Sequence, residues 1–298
     1  MKLFIEVPTW LGDAVMASGA VYKLVDFFKP EKVVIFGSFV STSLFKEEFE
    51  VVLDEKNHRF KQLMRMEKTD VAISFRSSLY SKILVNFIAK KGYTFPKNLH
   101  GHQVEKYSRY INSIIKQNSI YPPKLHFKPF KYPKQTLGIN PGATYGNAKR
   151  WYPKEFAKVA NELGKIYDIV IFGGPGEEKM AADIEKELTI KNYQNLCGKL
   201  SIKELCEKIG GLSLFITNDS GPMHIAGVYK VPTVAIFGPT NYKETSQWQN
   251  PNFHIISKEL DCAPCMKREC PLKHHDCMKS IKAKDVITLI KDRLLIGK

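Results

Sequence analysis

Three short polar turns carry the residues of this chain that could do chemistry. The most informative is Thr217-Asn218-Asp219-Ser220-Gly221-Pro222-Met223-His224. A second joins Asn140-Pro141-Gly142-Ala143 to Lys149-Arg150-Trp151, and a third is Trp10-Leu11-Gly12-Asp13. Each follows a short apolar run that reads as a strand and leads into a helical pattern. Open α/β sheets bind ligands at such turns, outside the carboxyl ends of their strands. Two of them in one half of the chain predict a nucleotide-diphosphate site.

In the 217–224 turn, Pro222 suits the start of a helix because its missing N–H has no partner there anyway. Gly221 lets backbone approach a ligand closely. The free N–H groups of that helix end favour a diphosphate. An acid beside a phosphate is repulsive, so Asp219 is expected either to cap the helix or to bind ribose or sugar hydroxyls. In the 140–151 turn, Lys149 and Arg150 supply cations where a leaving phosphate gathers charge, unless Lys149 is only a solvated loop lysine. Trp151 reads as packing rather than as a stacking platform. No Asp-x-Asp pair occurs in the chain, so the usual carboxylate clamp for a divalent metal on a nucleotide-sugar is missing, and no catalytic metal is expected.

Asp13 has two readings that spacing does not separate. It is the N-cap of a helix starting at Ala14, or a base that takes a proton from an attacking hydroxyl. Glu177 and Glu178 open a helix, where the dipole favours acids; a ribose contact is the functional alternative. The preceding Gly173-Gly174-Pro175-Gly176 is not Gly-x-Gly-x-x-Gly, so a nicotinamide-dinucleotide reading is weak and no cofactor is expected.

Strands and helices must alternate to position these turns. Strands are expected at 3–7, 32–36, 51–53, 71–74, 136–140, 168–172, 212–217 and 233–237, and helices at 13–28, 79–89, 104–117, 153–165, 177–188, 202–209, 222–229 and 281–295. This alternation implies parallel sheets. From 121 to 135 the chain carries Pro122, Pro123, Pro129 and Pro133 among lysines, with no helical period, and reads as a linker. The expected division is therefore a first domain over 1–135 with this linker at its end, a second over 136–280 and a terminal helix over 281–298.

The 298 residues suffice for two such domains. No run is long and apolar enough for a membrane span, and the N-terminus reads as a buried strand rather than a signal peptide, so a cytoplasmic location is expected. The formal net charge is +15. Residues 1–135 hold 22 Lys+Arg against 12 Asp+Glu, leaving 23 against 18 in the remainder. Such a field attracts phosphorylated substrate, anionic lipid or nucleic acid, or is a solvated Lys-rich surface. No nucleic-acid-binding motif is visible. Cys197 and Cys206 read as buried hydrophobes. Cys262, Cys265, Cys270 and Cys277, with His274 and His275 among them, have a spacing compatible with zinc, with reduced thiols or with a disulfide.

Pro8 to Met16, Asn140 to Ala143 with Ala148 to Trp151, and Asn218 to Gly221 with Met223 and His224 together resemble the ADP-heptose:lipopolysaccharide heptosyltransferases. The Cys262–Cys277 tail is similar to that of the heptosyltransferase II branch. The resemblance implies a GT-B fold of α/β class, two Rossmann-like domains facing a central cleft, with 1–135 binding the acceptor, 136–280 binding the ADP-sugar and the 281–298 helix packing back on the first domain. It implies inverting, metal-independent transfer of heptose from ADP-heptose to the first heptose of a phosphorylated Kdo-lipid A acceptor, at an anionic inner-membrane surface. By this likeness Asp13 is the base and Lys149 contacts the diphosphate. Asn140, Gly142, Thr144, Asp219, Ser220, Gly221, His224 and Thr240 line the donor, with one of Glu177 and Glu178. Trp10 and Gly12 lie on the acceptor side. Pro222, Thr144, Tyr145 and Asn147 depart from the commoner family pattern. Three alternatives stand beside this reading: heptosyltransferase I or III, a related transferase with another donor, and a non-enzymatic basic module binding nucleic acid or membrane.

Overall fold

A computed structural model describes residues 1–294 of the chain. Two compact units divide between His126 and Phe127. The first contains β1 (Lys2–Glu6), α1 (Leu11–Phe28), β2 (Lys32–Gly37), α2 (Phe39–Thr42), β3 (Glu50–Leu53), α3 (Arg59–Arg65), β4 (Thr69–Ser74), α4 (Leu79–Ile88), β5 (Ala89–Thr94) and α5 (Gln103–Ile115). Its five strands are all parallel, in the order β3-β2-β1-β4-β5, with Leu3 registered on Val33 and Val71. The strand order reverses between β1 and β4. The turns after these two strands therefore open the crevice in which such sheets hold ligands.

After α5 the chain runs back in extended form over α1. Gly19 makes this possible, because a Cβ there would overlap the Pro122 carbonyl oxygen. The Lys124 amide then donates to Ser18 Oγ at 2.8 Å.

The second unit contains β6 (Thr136–Asn140), α6 (Pro153–Leu163), β7 (Asp168–Ile171), α7 (Glu178–Glu185), β8 (Tyr193–Asn195), α8 (Ile202–Gly210), β9 (Leu214–Asn218), α9 (Gly221–Val228), β10 (Thr233–Ile236), α10 (Tyr242–Thr245), β11 (Phe253–Ile256), α11 (Asp276–Lys279) and α12 (Ala283–Arg293). A single 3-10 turn spans Asn147–Lys149. The six parallel strands are ordered β11-β10-β9-β6-β7-β8, the doubly wound arrangement with its reversal between β6 and β9. Both reversal strands are buried along their whole length, as expected of strands covered on both faces.

The α/β class and the parallel alternation agree with the sequence reading. Its details need correcting in four places. Helix α1 begins at Leu11 with Trp10 as N-cap, so Asp13 is the third helical residue and not the cap. Strands β5, β8 and β11 and helices α2 and α3 were not anticipated. Residues 127–135 pack with the second unit rather than ending the first: the Phe130 amide donates to the Glu207 carbonyl and Tyr229 Oη to the Phe127 carbonyl. Finally, α12 belongs to the core of the second unit through Val286 and Ile290, and the Ala283 amide donates to Glu155 Oε2. Residues 295–298 of the expected terminal helix lie outside the described residues.

Candidate active site

The carboxyl edge of the second sheet gathers most of the expected donor residues. Asn140 ends β6, and its Nδ2 donates to the Gly142 carbonyl at 3.3 Å and reaches Ser220 Oγ at 3.1 Å. Asn218 ends β9; it accepts from the Trp151 amide at 3.1 Å and donates to the Pro141 carbonyl at 2.6 Å. The two asparagines thus tie both turns into one platform across the strand reversal. Ser220 is the N-cap of α9 and Gly221 its first residue, and His224 is buried on the same helix. No side-chain hydrogen bond caps α9; Pro222 lacks an N–H and the Met223 amide donates to the Ser220 carbonyl at 3.1 Å, so the Gly221 amide is the donor this helix end offers an anion.

Asp219 does not cap α9. Its Oδ2 instead lies 2.5 Å from Lys149 Nζ and accepts from Thr240 Oγ1 at 2.6 Å. Both side chains of the pair are largely buried, 13% exposed for Lys149 and 5% for Asp219. The Lys149 ammonium also sits 4.6 Å from the centre of the Tyr145 ring. An ammonium has three N–H donors, so one carboxylate contact leaves others for a phosphate. The acid that sequence placed awkwardly beside a phosphate is therefore the counter-charge that orients the lysine.

Glu177 and Glu178 separate clearly. The Glu177 carboxylate packs directly on the Gly142 backbone, where any Cβ would overlap it, and it accepts from the Gly174 amide at 2.9 Å. Glu178 turns away toward Gly198 and accepts from the Gly176 amide. Thr144 is exposed at the loop tip.

The Cys262–Cys277 segment braces this loop. The Ala148 amide donates to the Arg268 carbonyl, Tyr145 Oη donates to the Met266 carbonyl, and His275 bridges the Ala148 carbonyl at 2.9 Å and Tyr152 Oη at 3.1 Å. The four cysteines line a cavity of about 40 Å³ with His274 and His275, and all are free thiols. Burial, with the neighbouring thiols, pushes Cys277 up to about 11. Among the described residues no three His, Cys, Asp or Glu side chains stand together closely enough to hold a metal ion. Trp151 is core, as expected, with its Nε1 donating to the Ile281 carbonyl.

In the first unit, Asp13 is half-buried in the first turn of α1, beyond the end of β1, with Gly12 beside it and Trp10 45% exposed. Burial and then the Asp13 carboxylate push the Tyr107 phenol well above its usual value. Beside β1 and β4 lies a charged cluster that sequence reasoning missed. Arg76 Nε donates to the Val7 carbonyl, and its Nη1 stands 3.2 Å from both Glu6 Oε1 and Asp54 Oδ2. Arg59 grips Asp54 through both oxygens at 2.9 and 2.7 Å. Burial alone would raise the Asp54 carboxyl; the two arginines overcome it and hold it low. The readable signal was Arg76 just past a strand end, the same signal that marked Asp13.

Comparison with known proteins agrees with this geometry. The description of glycosyltransferase family 9 (heptosyltransferase) matches residues 116–275. The chain is 45% identical to lipooligosaccharide heptosyltransferase 2 of Campylobacter jejuni, covering 99% of this chain and 98% of that one. In fold it is similar to Escherichia coli ADP-heptose LPS heptosyltransferase II, with TM-score 0.79, 20% identity and 99% of each chain covered. It is also similar to a Veillonella parvula family 9 glycosyltransferase, with TM-score 0.83, 20% identity and 99% and 97% covered. Two doubly wound units, a nucleotide-type platform at the second strand reversal and 45% identity over nearly the whole length to a heptosyltransferase lead to one conclusion: this chain is an enzyme of glycosyltransferase family 9, the heptosyltransferases.

Proposed function

We propose that the enzyme moves L-glycero-D-manno-heptose from ADP-heptose to the first heptose of a phosphorylated Kdo-lipid A inner core, with inversion and without a metal. The observation that carries the donor half is the Lys149–Asp219–Thr240 arrangement beside the uncapped start of α9. Asp219 holds Lys149 so that its remaining N–H donors face the leaving diphosphate, with the Ser220–Gly221 amides assisting. A preorganised cation and amides there stabilise the charge that builds on ADP as the glycosidic bond breaks.

Glu177, placed against Gly142, is the acid assigned to the donor hydroxyls, with Asn140, Thr144 and His224 completing the donor set. Asp13 is assigned as the base that takes the acceptor hydroxyl proton while the oxygen attacks the anomeric carbon; Trp10 and Gly12 meet the acceptor. The basic first unit suits a phosphorylated, lipid-linked acceptor at an anionic membrane surface.

The test is product analysis. Enzyme, ADP-heptose and a core-truncated acceptor bearing one heptose should yield an acceptor heavier by one heptose, with the anomeric configuration opposite to that of the donor by NMR. A product with retained configuration overturns the mechanism. Transfer only to acceptors lacking heptose, or already bearing two, overturns the acceptor assignment.

A further inference from the structure

The outer faces of α3 and α4 carry large apolar side chains that the fold does not use. Both helices bury their inner faces in the same core, Leu63 from α3 and Leu84, Val85 and Ile88 from α4. Their outer faces are left bare. On α4, Leu79, Ile83 and Phe87 recur every four residues and form one stripe. On α3, Phe60 and Met64 do the same. Exposure reaches 77% for Phe60, 74% for Leu79 and 62% for Met64. Isolated exposed apolar residues are ordinary, but five on adjacent helices are the pattern of a contact surface.

The charge around this face is one-sided. Residues 56–91 contain nine Lys or Arg and only two acids, Glu67 and Asp70. Both acids are already paired, Glu67 with Lys2 and Lys32 and Asp70 with Lys90. Lys61, Arg65 and Lys82 stand exposed on the same two helices. The Lys68 ammonium lies 3.6 Å from the centre of the Phe87 ring and Arg59 lies 4.4 Å from that of Tyr80, so cations interleave with the rings. Exposed apolar tips interleaved with cations suit the headgroup boundary of an anionic bilayer, where the tips enter the acyl edge and the cations meet lipid phosphate.

We infer that the α3–α4 face docks the enzyme on anionic membrane. The inference deepens the proposed function and rests on it for the acceptor's lipid anchor. The stripe starts at Leu79, just after the carboxyl end of β4, on the same sheet edge as Asp13. Docking there would set the acceptor-side end of the first unit near the headgroups.

The experiment is vesicle flotation of the full chain, using phosphatidylcholine vesicles with and without phosphatidylglycerol. Wild type should float with the anionic vesicles and release in salt. Phe60→Ser/Leu79→Ser/Ile83→Ser and, separately, Lys61→Glu/Arg65→Glu/Lys82→Glu should each lower partition by about tenfold or more. Both should keep wild-type turnover on a deacylated acceptor, which also verifies folding. Partition of the variants equal to wild type overturns the inference, as does wild-type binding indifferent to phosphatidylglycerol. A self-association by sedimentation that the apolar variant abolishes assigns the face to a second copy and also overturns it. If wild type floats but no acceptor gains heptose, the proposed function fails while the docking face stands.

Discussion

Lys149 and Asp219, seventy positions apart in sequence, meet at 2.5 Å beside the strand reversal of the second sheet. Removing one partner leaves the other charge buried, which costs about 3 kcal/mol. Lys149→Ala should lower kcat/KM roughly a hundredfold or more if, as proposed, Lys149 is the cation that faces the leaving diphosphate. The double variant Lys149→Ala/Asp219→Ala should be more stable than the sum of the single losses predicts. Denaturant midpoints of all four proteins check this, and strict additivity would contradict the pairing.

Glu177 and Glu178 should behave differently although they are neighbours. Glu177→Ala, or Gly142→Ala pushing against the same carboxylate, should weaken donor use by about tenfold. Glu178→Ala should change it by less than about twofold. Steady-state kinetics with ADP-heptose at saturating acceptor makes the comparison.

The brace from the C-terminal loop should act on position rather than on chemistry. His275→Ala removes the links to the Ala148 carbonyl and Tyr152. Lost hydrogen bonds of this kind cost on the order of 1 kcal/mol. The donor KM should rise several-fold with kcat changed less. An equal fall in kcat with unchanged KM would point to a direct role in the reaction.

Glu6 gives the first unit a pH signature. Burial raises its carboxyl above the ordinary 4.5, although Arg76 and Ser74 oppose the shift. Between 4.5 and that raised value the folded chain keeps a proton the unfolded chain has released. Stability therefore falls as pH rises through this window and levels off above it. Glu6→Gln should remove that slope. Urea midpoints of both proteins across the window measure the difference, and parallel curves would contradict it.

The parts of this architecture that sequence made legible are those where burial leaves a continuous apolar run. Strands β1, β6 and β9 are such runs, and the turns after them bear Asp13, Asn140 and Asp219. Strand β5, Ala89-Lys90-Lys91-Gly92-Tyr93-Thr94, lies at a sheet edge and is half polar, so its pattern resembles a helix end. Strand β8 is an edge of only three residues with no apolar face. The Lys149–Asp219 pair was hidden because charge complementarity across seventy residues leaves no local pattern. The choice between Glu177 and Glu178 depends on which one the turn at 173–176 aims at Gly142, and both spacings fit the sequence equally well.

The most direct test is ADP release from ADP-heptose in EDTA, with and without the single-heptose acceptor, for wild type and Asp13→Asn. The wild type should release ADP only with acceptor and undiminished by EDTA. Asp13→Asn should bind ADP as well as wild type while losing turnover by roughly a hundredfold or more. Wild-type release that stops in EDTA, or an Asp13→Asn variant that turns over normally, would contradict metal-independent transfer with Asp13 as the base.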